Sequence, residues 1–155
     1  MDKECDISVA SCIDLVNLII HEHTGVCTYN SCLGKWLCFD SNGHIYPCDR
    51  LCLEKYDLGN INDIKFIDEV FQSEKFIDLL KNSIKRRENC KLNCEYFKNC
   101  YGGCNANAIL SQNENYNASC YIQKNILKEI KEYLLKINGS VEANSLNPYL
   151  RKILK

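Results

Sequence analysis

Several features are missing from this 155-residue chain, and each absence removes a class of protein. A formal net charge of −1 leaves no global field to draw in nucleic acid or an anionic membrane. No apolar run approaches the roughly 20 residues that a membrane-spanning helix needs. The opening MDKECDISVA carries acids and no apolar h-region, so no secretory signal is expected. Without a secretory route, the glycosylation patterns at Asn117 and Asn138 mean little. There is no internal repeat, and no Cys-x-x-Cys hook of the kind that zinc ribbons pair. The expectation is one cytoplasmic domain that partners neither nucleic acid nor membrane.

What the chain does have is cysteine, twelve of them. In an exported protein these would form a disulfide framework, whereas in a reducing compartment such clustering points to metal. The densest stretch, CKLNCEYFKNCYGGC, spaces Cys90, Cys94, Cys100 and Cys104 by three, five and three residues. Four thiolates are enough for one tetrahedral zinc. The glycines argue for something bulkier: Gly102 and Gly103 can take positive φ and bring backbone N–H groups to sulfur, as an iron–sulfur cubane requires. Spacing therefore leans towards iron–sulfur, with a structural zinc- or cluster-stabilised binding module of no redox role as the alternative.

A second group lies upstream. Cys27 and Cys32 precede a hairpin, WLCFDSNGHIYPC, whose turn is made by Gly43 and whose end is Cys48. Cys120 stands just before a C-terminal helix, making eight thiols in two sets of four. Around them the pattern predicts helices over 12–22 (stopped at Gly25), 62–73, 73–87 and 122–137, and a further short strand at YDLGNI. The 122–137 helix carries a stripe at 122, 126, 127, 130, 133, 134 and 137. The stretch 90–104 reads as irregular ligand-bearing chain. The fold class is α+β: a small cysteine-framed β-hairpin with flanking helices, stabilised by iron–sulfur. Residues 1–24 read as a helical lead-in, 25–138 as the cluster domain, and 139–155 as a loosely held tail.

The residues now carry a resemblance. The order Cys32…Gly43…Cys48, then Cys90, Cys94, Cys100, Cys104 and Cys120, with GHIYPCDR, LGNI and CYGGCNANA, resembles the SPASM domain. That is the auxiliary-cluster module of radical SAM enzymes that modify peptides and proteins. One step departs from the family's spacing: three residues, not two, separate Cys90 from Cys94. The resemblance implies two [4Fe–4S] clusters, one held by Cys27, Cys32, Cys48 and Cys104 and the other by Cys90, Cys94, Cys100 and Cys120. It implies electron transfer and engagement of a peptide or protein substrate. It is strongest to anaerobic sulfatase-maturating enzymes and related peptide maturases, in which the Asp after the hairpin cysteine is the proposed base; Asp49 matches that position. The Cys-x3-Cys-x2-Cys motif of a radical SAM core is absent, so S-adenosylmethionine chemistry is expected only from a core domain or subunit outside this sequence. A fragment, a split subunit and a truncated product all fit.

The remaining residues have plainer readings. Cys5, Cys12, Cys38 and Cys52 are expected as small buried hydrophobes, although Cys38 has the spacing to replace Cys27 or Cys32 as a ligand. His21 and His23 lie two apart and share no helical face. His44 is a hairpin residue. KNSIKRREN reads as a solvated, positively charged helix end, with docking of an acidic leader peptide as its other use.

Overall fold

The computed structural model describes residues 10–23, 25–30, 32–111 and 119–153. Cys5 lies outside them. Among the described residues the chain is helix-rich with one two-stranded antiparallel sheet, so the α+β class is what the structure shows. No described helix is long and apolar enough to cross a membrane.

Helix α1, Ala10–His21, buries Leu18, Ile19 and Ile20. It stops earlier than Gly25: Glu22 takes a left-handed φ of 54° and ends it. Strands β1 (Cys38–Phe39) and β2 (Ile45–Tyr46) pair Cys38 with Tyr46 and Phe39 with Ile45. Two devices close the hairpin. The Asp40 carboxylate accepts the N–H groups of Asn42 (2.8 Å) and His44 (2.9 Å), and Gly43 turns the chain at φ +84°. YDLGNI runs beside β2, with Leu58 N–H donating to the Ile45 carbonyl at 2.8 Å. It forms a single bridge, His44 with Asn60, rather than a strand, because Gly59 at φ +124° bends it away.

The predicted 62–73 helix shrinks to α2, Asp68–Gln72. Ahead of it the Asn60 side chain accepts the Asn62 N–H at 3.0 Å and holds the backbone in turns, a local bond that competes with helix. Ser73 ends α2 and caps α3, its hydroxyl accepting the Phe76 N–H at 3.3 Å. Helix α3 then runs Glu74–Asn93, well past Arg87. Its last turns contain no Gly or Pro, so nothing stops it before the cysteines. Short helices α4 (Phe97–Cys100) and α5 (Asn105–Leu110) follow. The cysteine-rich stretch is therefore mostly helical, not irregular.

Helix α6, Cys120–Asn138, ends at Gly139, whose φ of +73° lets its N–H reach the Leu135 carbonyl at 2.8 Å. Its stripe divides. Leu127 and Leu134 pack with α1, whereas Ile122 and Tyr133 stay exposed. Helix α7, Pro148–Ile153, brings Leu150 into the same cluster with Leu146, so the described tail is docked rather than loosely held. A second cluster of Leu33, Ile45, Leu58, Val70 and Phe76 joins the hairpin to α2 and α3. The third is built around a cysteine: Leu51, Tyr56, Cys104 and Ala106, with Cys48 packed against it.

Candidate metal centre

Four elements deliver the first set of thiols. Cys27 opens a 3-10 turn (Cys27–Tyr29), Cys32 follows it, Cys48 leaves β2 through Pro47, and Cys104 caps α5. Cys104 is buried and Cys32 and Cys48 are partly so. Burial pushes the Cys32 thiol up, the Asn105 amide pulls it back, and Cys27 and Cys104 raise it further. Burial likewise pushes Cys48 up to about 12; the Arg50 N–H opposes this, while Asp49 and Cys104 add to it. Cys27, Cys32, Cys48 and Cys104 thus occupy one neighbourhood, although the chain between them spans most of the fold.

Donors surround this set. The Arg50 N–H lies 3.4 Å from Cys48 Sγ, and the Arg50 guanidinium Nη1 lies 3.6 Å from Cys104 Sγ. The Asn105 amide Nδ2 lies 3.8 Å from Cys32 Sγ. Asp49 sits exposed at the rim, in a 3-10 turn (Asp49–Leu51), accepting the Cys48 S–H at 3.3 Å and the Arg50 N–H at 2.9 Å.

The second set lies on three helices. Cys90 is in the last turn of α3, Cys94 caps its end, Cys100 ends α4 and Cys120 begins α6. All four line one cavity of about 160 Å³, floored by Leu127 and flanked by Tyr96 and Phe97. Burial pushes Cys100 up to about 11, with Cys120, Cys94 and Cys90 adding to it and the Gly102 N–H opposing. Burial also raises Cys90, followed by Cys120 and Cys94. Thiols held this high stay protonated at neutral pH unless a cation takes the proton's place.

Between the two sets runs the Tyr101-Gly102-Gly103 turn, three successive residues at positive φ (51°, 83° and 71°). It sends Cys100 to one set and Cys104, four residues later, to the other. A Cβ on Gly102 would stand 3.1 Å from Arg87 Cγ and 3.9 Å from Cys90 Sγ, so any side chain there meets a tight contact on top of a strained φ. Gly102 does what the sequence suggests, its N–H hydrogen-bonding Cys100 sulfur, whereas the Gly103 N–H donates instead to the Cys100 carbonyl at 2.9 Å.

Donor geometry bears on which group these thiols fit. Among the described residues no three Cys, His, Asp or Glu side chains converge closely enough for a single metal ion. A tetrahedral zinc draws its sulfurs to about 2.3 Å from one centre. A cubane gives each thiolate a different iron and brings its own sulfides, so it needs thiols spread around a void. Cys90, Cys94, Cys100 and Cys120 all line one such void.

Among the described residues, the other cysteines are not small core residues. Cys12 and Cys52 are exposed and Cys38 is partly exposed. Cys38 does not join Cys27 and Cys32: its sulfur stands 3.5 Å from Cys52 Sγ, because β1 directs it towards the turn after Cys48. His44 bonds Asp57 at 2.7 Å through Nδ1, and His21 and His23 are exposed. Sequence reasoning missed Arg50, Asn105 and Arg86. Arg86, in the stretch read as a solvated helix end, is only 3% exposed. Its place four residues before Cys90 on a continuous helix was the available signal, hidden by ending that helix at Arg87.

Comparison with known proteins defines the class. Residues 27–95 match SPASM, the iron–sulfur cluster-binding domain. The chain carries a domain of that family. Its curated relatives are anaerobic sulfatase-maturating enzymes. The cysteine-type enzyme of Clostridium perfringens (strain 13 / Type A) is 33% identical over 119 residues, covering 77% of this chain and 31% of the relative. The corresponding enzyme of Clostridium novyi (strain NT) is 28% identical over 101 residues, 65% of this chain and 26% of the relative. Among solved structures, hexahistidine-tagged anSMEcpe with bound AdoMet superposes at a TM-score of 0.65 with 30% identity, over 96% of this chain and 38% of that one. Native anSMEcpe with AdoMet and the Cp18Cys peptide superposes at 0.64 with 28% identity, over 96% and 37%. The chain thus spans about a third of the length of the relatives it matches.

Proposed function

We propose that this chain is the auxiliary-cluster module of a radical SAM maturase acting on a peptide or protein, holding two [4Fe–4S] clusters. Cys27, Cys32, Cys48 and Cys104 hold the first, and Cys90, Cys94, Cys100 and Cys120 the second. The observation that carries the reading is the ring of four thiols around one cavity, with no single-ion site among the described residues. The clusters would supply one-electron transfer, at potentials that across such proteins span roughly −700 to +450 mV.

The chain's own groups do the rest. Asp49 is an exposed carboxylate beside the first set, placed to take a proton from a substrate side chain as that side chain is oxidised. The Arg50 N–H and the Asn105 amide orient Cys48 and Cys32 and hold charge on their sulfurs. The S-adenosylmethionine step belongs to a core domain or subunit beyond these residues. The assembly works in the cytoplasm.

Anaerobic reconstitution with iron and sulfide, followed by iron, sulfide and zinc analysis, tests this. About eight irons and eight sulfides per chain are expected for two cubanes. One or two zincs without sulfide would replace the proposal with a structural zinc module.

A further inference from the structure

Arg86 is a charged side chain that neither the family likeness nor the ligand sets employ. It is 3% exposed, on α3 one turn before Cys90 and on the same helical face. Its Nη2 donates to Asn105 Oδ1, which also accepts the Ser83 hydroxyl at 2.6 Å. The other end of that amide reaches Cys32 Sγ. Arg86 therefore touches the first set through Asn105 and the second through its own helix, and lies within Coulombic reach of Cys90, Cys104 and Cys100. Its Nε is buried without a hydrogen-bond acceptor among the described residues. Burying a guanidinium with a donor unmet is costly, and proteins do so where an anion supplies the acceptor.

We propose that Arg86 is a positioning and charge-balancing residue shared by both clusters, its guanidinium stabilising their reduced forms and its Nε–H donating to cluster sulfur. This rests on the two-cluster reading above. The experiment is an EPR-monitored redox titration of the reconstituted chain, with iron and sulfide counted first, for wild type, Arg86→Lys and Arg86→Gln. With full clusters, Arg86→Gln is expected to move both midpoint potentials in the negative direction, and Arg86→Lys to move them less. Full clusters with unchanged potentials in Arg86→Gln overturn the proposal and leave the cluster reading standing. Zinc without sulfide in the wild type overturns both. Should Arg86→Gln not retain iron, the wild type labelled with ¹⁵N-arginine decides. A ¹⁵N coupling to a reduced cluster that survives Arg50→Lys and Arg87→Lys is expected, and its absence overturns the proposal.

A separate observation concerns Cys38 and Cys52, which lie outside both sets. Cys52 S–H donates to Cys38 Sγ at 3.5 Å and also approaches the Cys48 carbonyl at 3.7 Å. A disulfide would draw these sulfurs from 3.5 Å to about 2.05 Å. We infer that the pair is a redox-active dithiol that a small-molecule disulfide oxidises. The exposed Cys52 thiol, giving up its proton, attacks the reagent and releases one thiol. Cys38 then displaces the second thiol and closes a Cys38–Cys52 bond, so two protein thiols are oxidised and one disulfide is reduced to two thiols. The bond would tie β1 to the turn carrying Cys48 and Asp49. The test is anaerobic incubation of the reconstituted chain with oxidised glutathione, then alkylation and peptide mapping. Joint loss of both alkylation sites and a linked peptide are expected, and Cys38→Ser should trap a glutathione adduct on Cys52. An adduct on Cys52 in the wild type with Cys38 still alkylated, or no reaction at either, overturns the inference.

Discussion

Asp49 and Gly102 show how much one side chain, or the lack of one, decides at these sites. Asp49 is exposed and adjacent to a candidate ligand, so its removal should affect chemistry without disturbing assembly. On the maturase reading, Asp49→Asn in an enzyme completed by its core is expected to lower kcat by about 10²–10⁴-fold, the usual worth of a general base, with iron content unchanged. A variant that turned over normally would take Asp49 out of the mechanism. At Gly102 the constraint is steric. Alanine there adopts a left-handed φ at a cost of about 1–2 kcal/mol, which lowers the Tm of the reconstituted chain by roughly 2–8 °C. Gly25→Ala, with nothing within 4 Å of its added carbon, is the control and should melt like the wild type. The sequence itself pointed to Gly102, through its neighbours. It gave no such pointer to Arg86, because a buried arginine and a solvated one are written alike until the helix carrying them is known to continue.

The elements differ in how far local pattern determines them. Helix α6 has its full apolar period and a glycine stop, and was readable from both. Which half of its stripe would be covered was not, because that depends on where α1 and α7 dock. Leu134 lies in that contact and is 1% exposed, whereas neighbouring Leu135 is 42% exposed. Urea unfolding of the reconstituted chain should show Leu134→Ala destabilised by about 2–5 kcal/mol. Leu135→Ala should stay within roughly 0.5 kcal/mol of the wild type, as surface substitutions do. Equal effects would mean that the α1–α6 contact contributes nothing to stability. The hairpin was legible because Asp40 and Gly43 carry their turn geometry locally. Helix α3 outruns its predicted end because thiols do not by themselves make a loop: Lys, Glu, Leu and Asn carry the helix through Cys90 without interruption.

At the scale of the molecule, the described residues form three small apolar clusters in place of one large core. One of them includes Cys104 and rests against Cys48, so packing and the first thiol set share residues. Ligand bonds joining segments so distant in sequence would close long loops and stabilise the fold as a whole. Stripping the metal with a chelator under reducing conditions is therefore expected to abolish a cooperative thermal transition by circular dichroism. A sharp melt of the metal-free chain would show that the apolar clusters suffice alone. The proposed grouping of thiols across the fold came from likeness to a family; nothing local in the sequence says that Cys104 lies near Cys32 rather than Cys100.

The left-handed turn at Tyr101-Gly102-Gly103 has one further consequence. Four residues of extended chain reach no further than about 14 Å, so Cys100 and Cys104 are tethered within that span whatever else in the chain moves. The turn works as a ruler between the two centres. On the two-cluster reading proposed above, a motion that repositions one cluster must carry the other with it, and an insertion inside those three residues would loosen the tether.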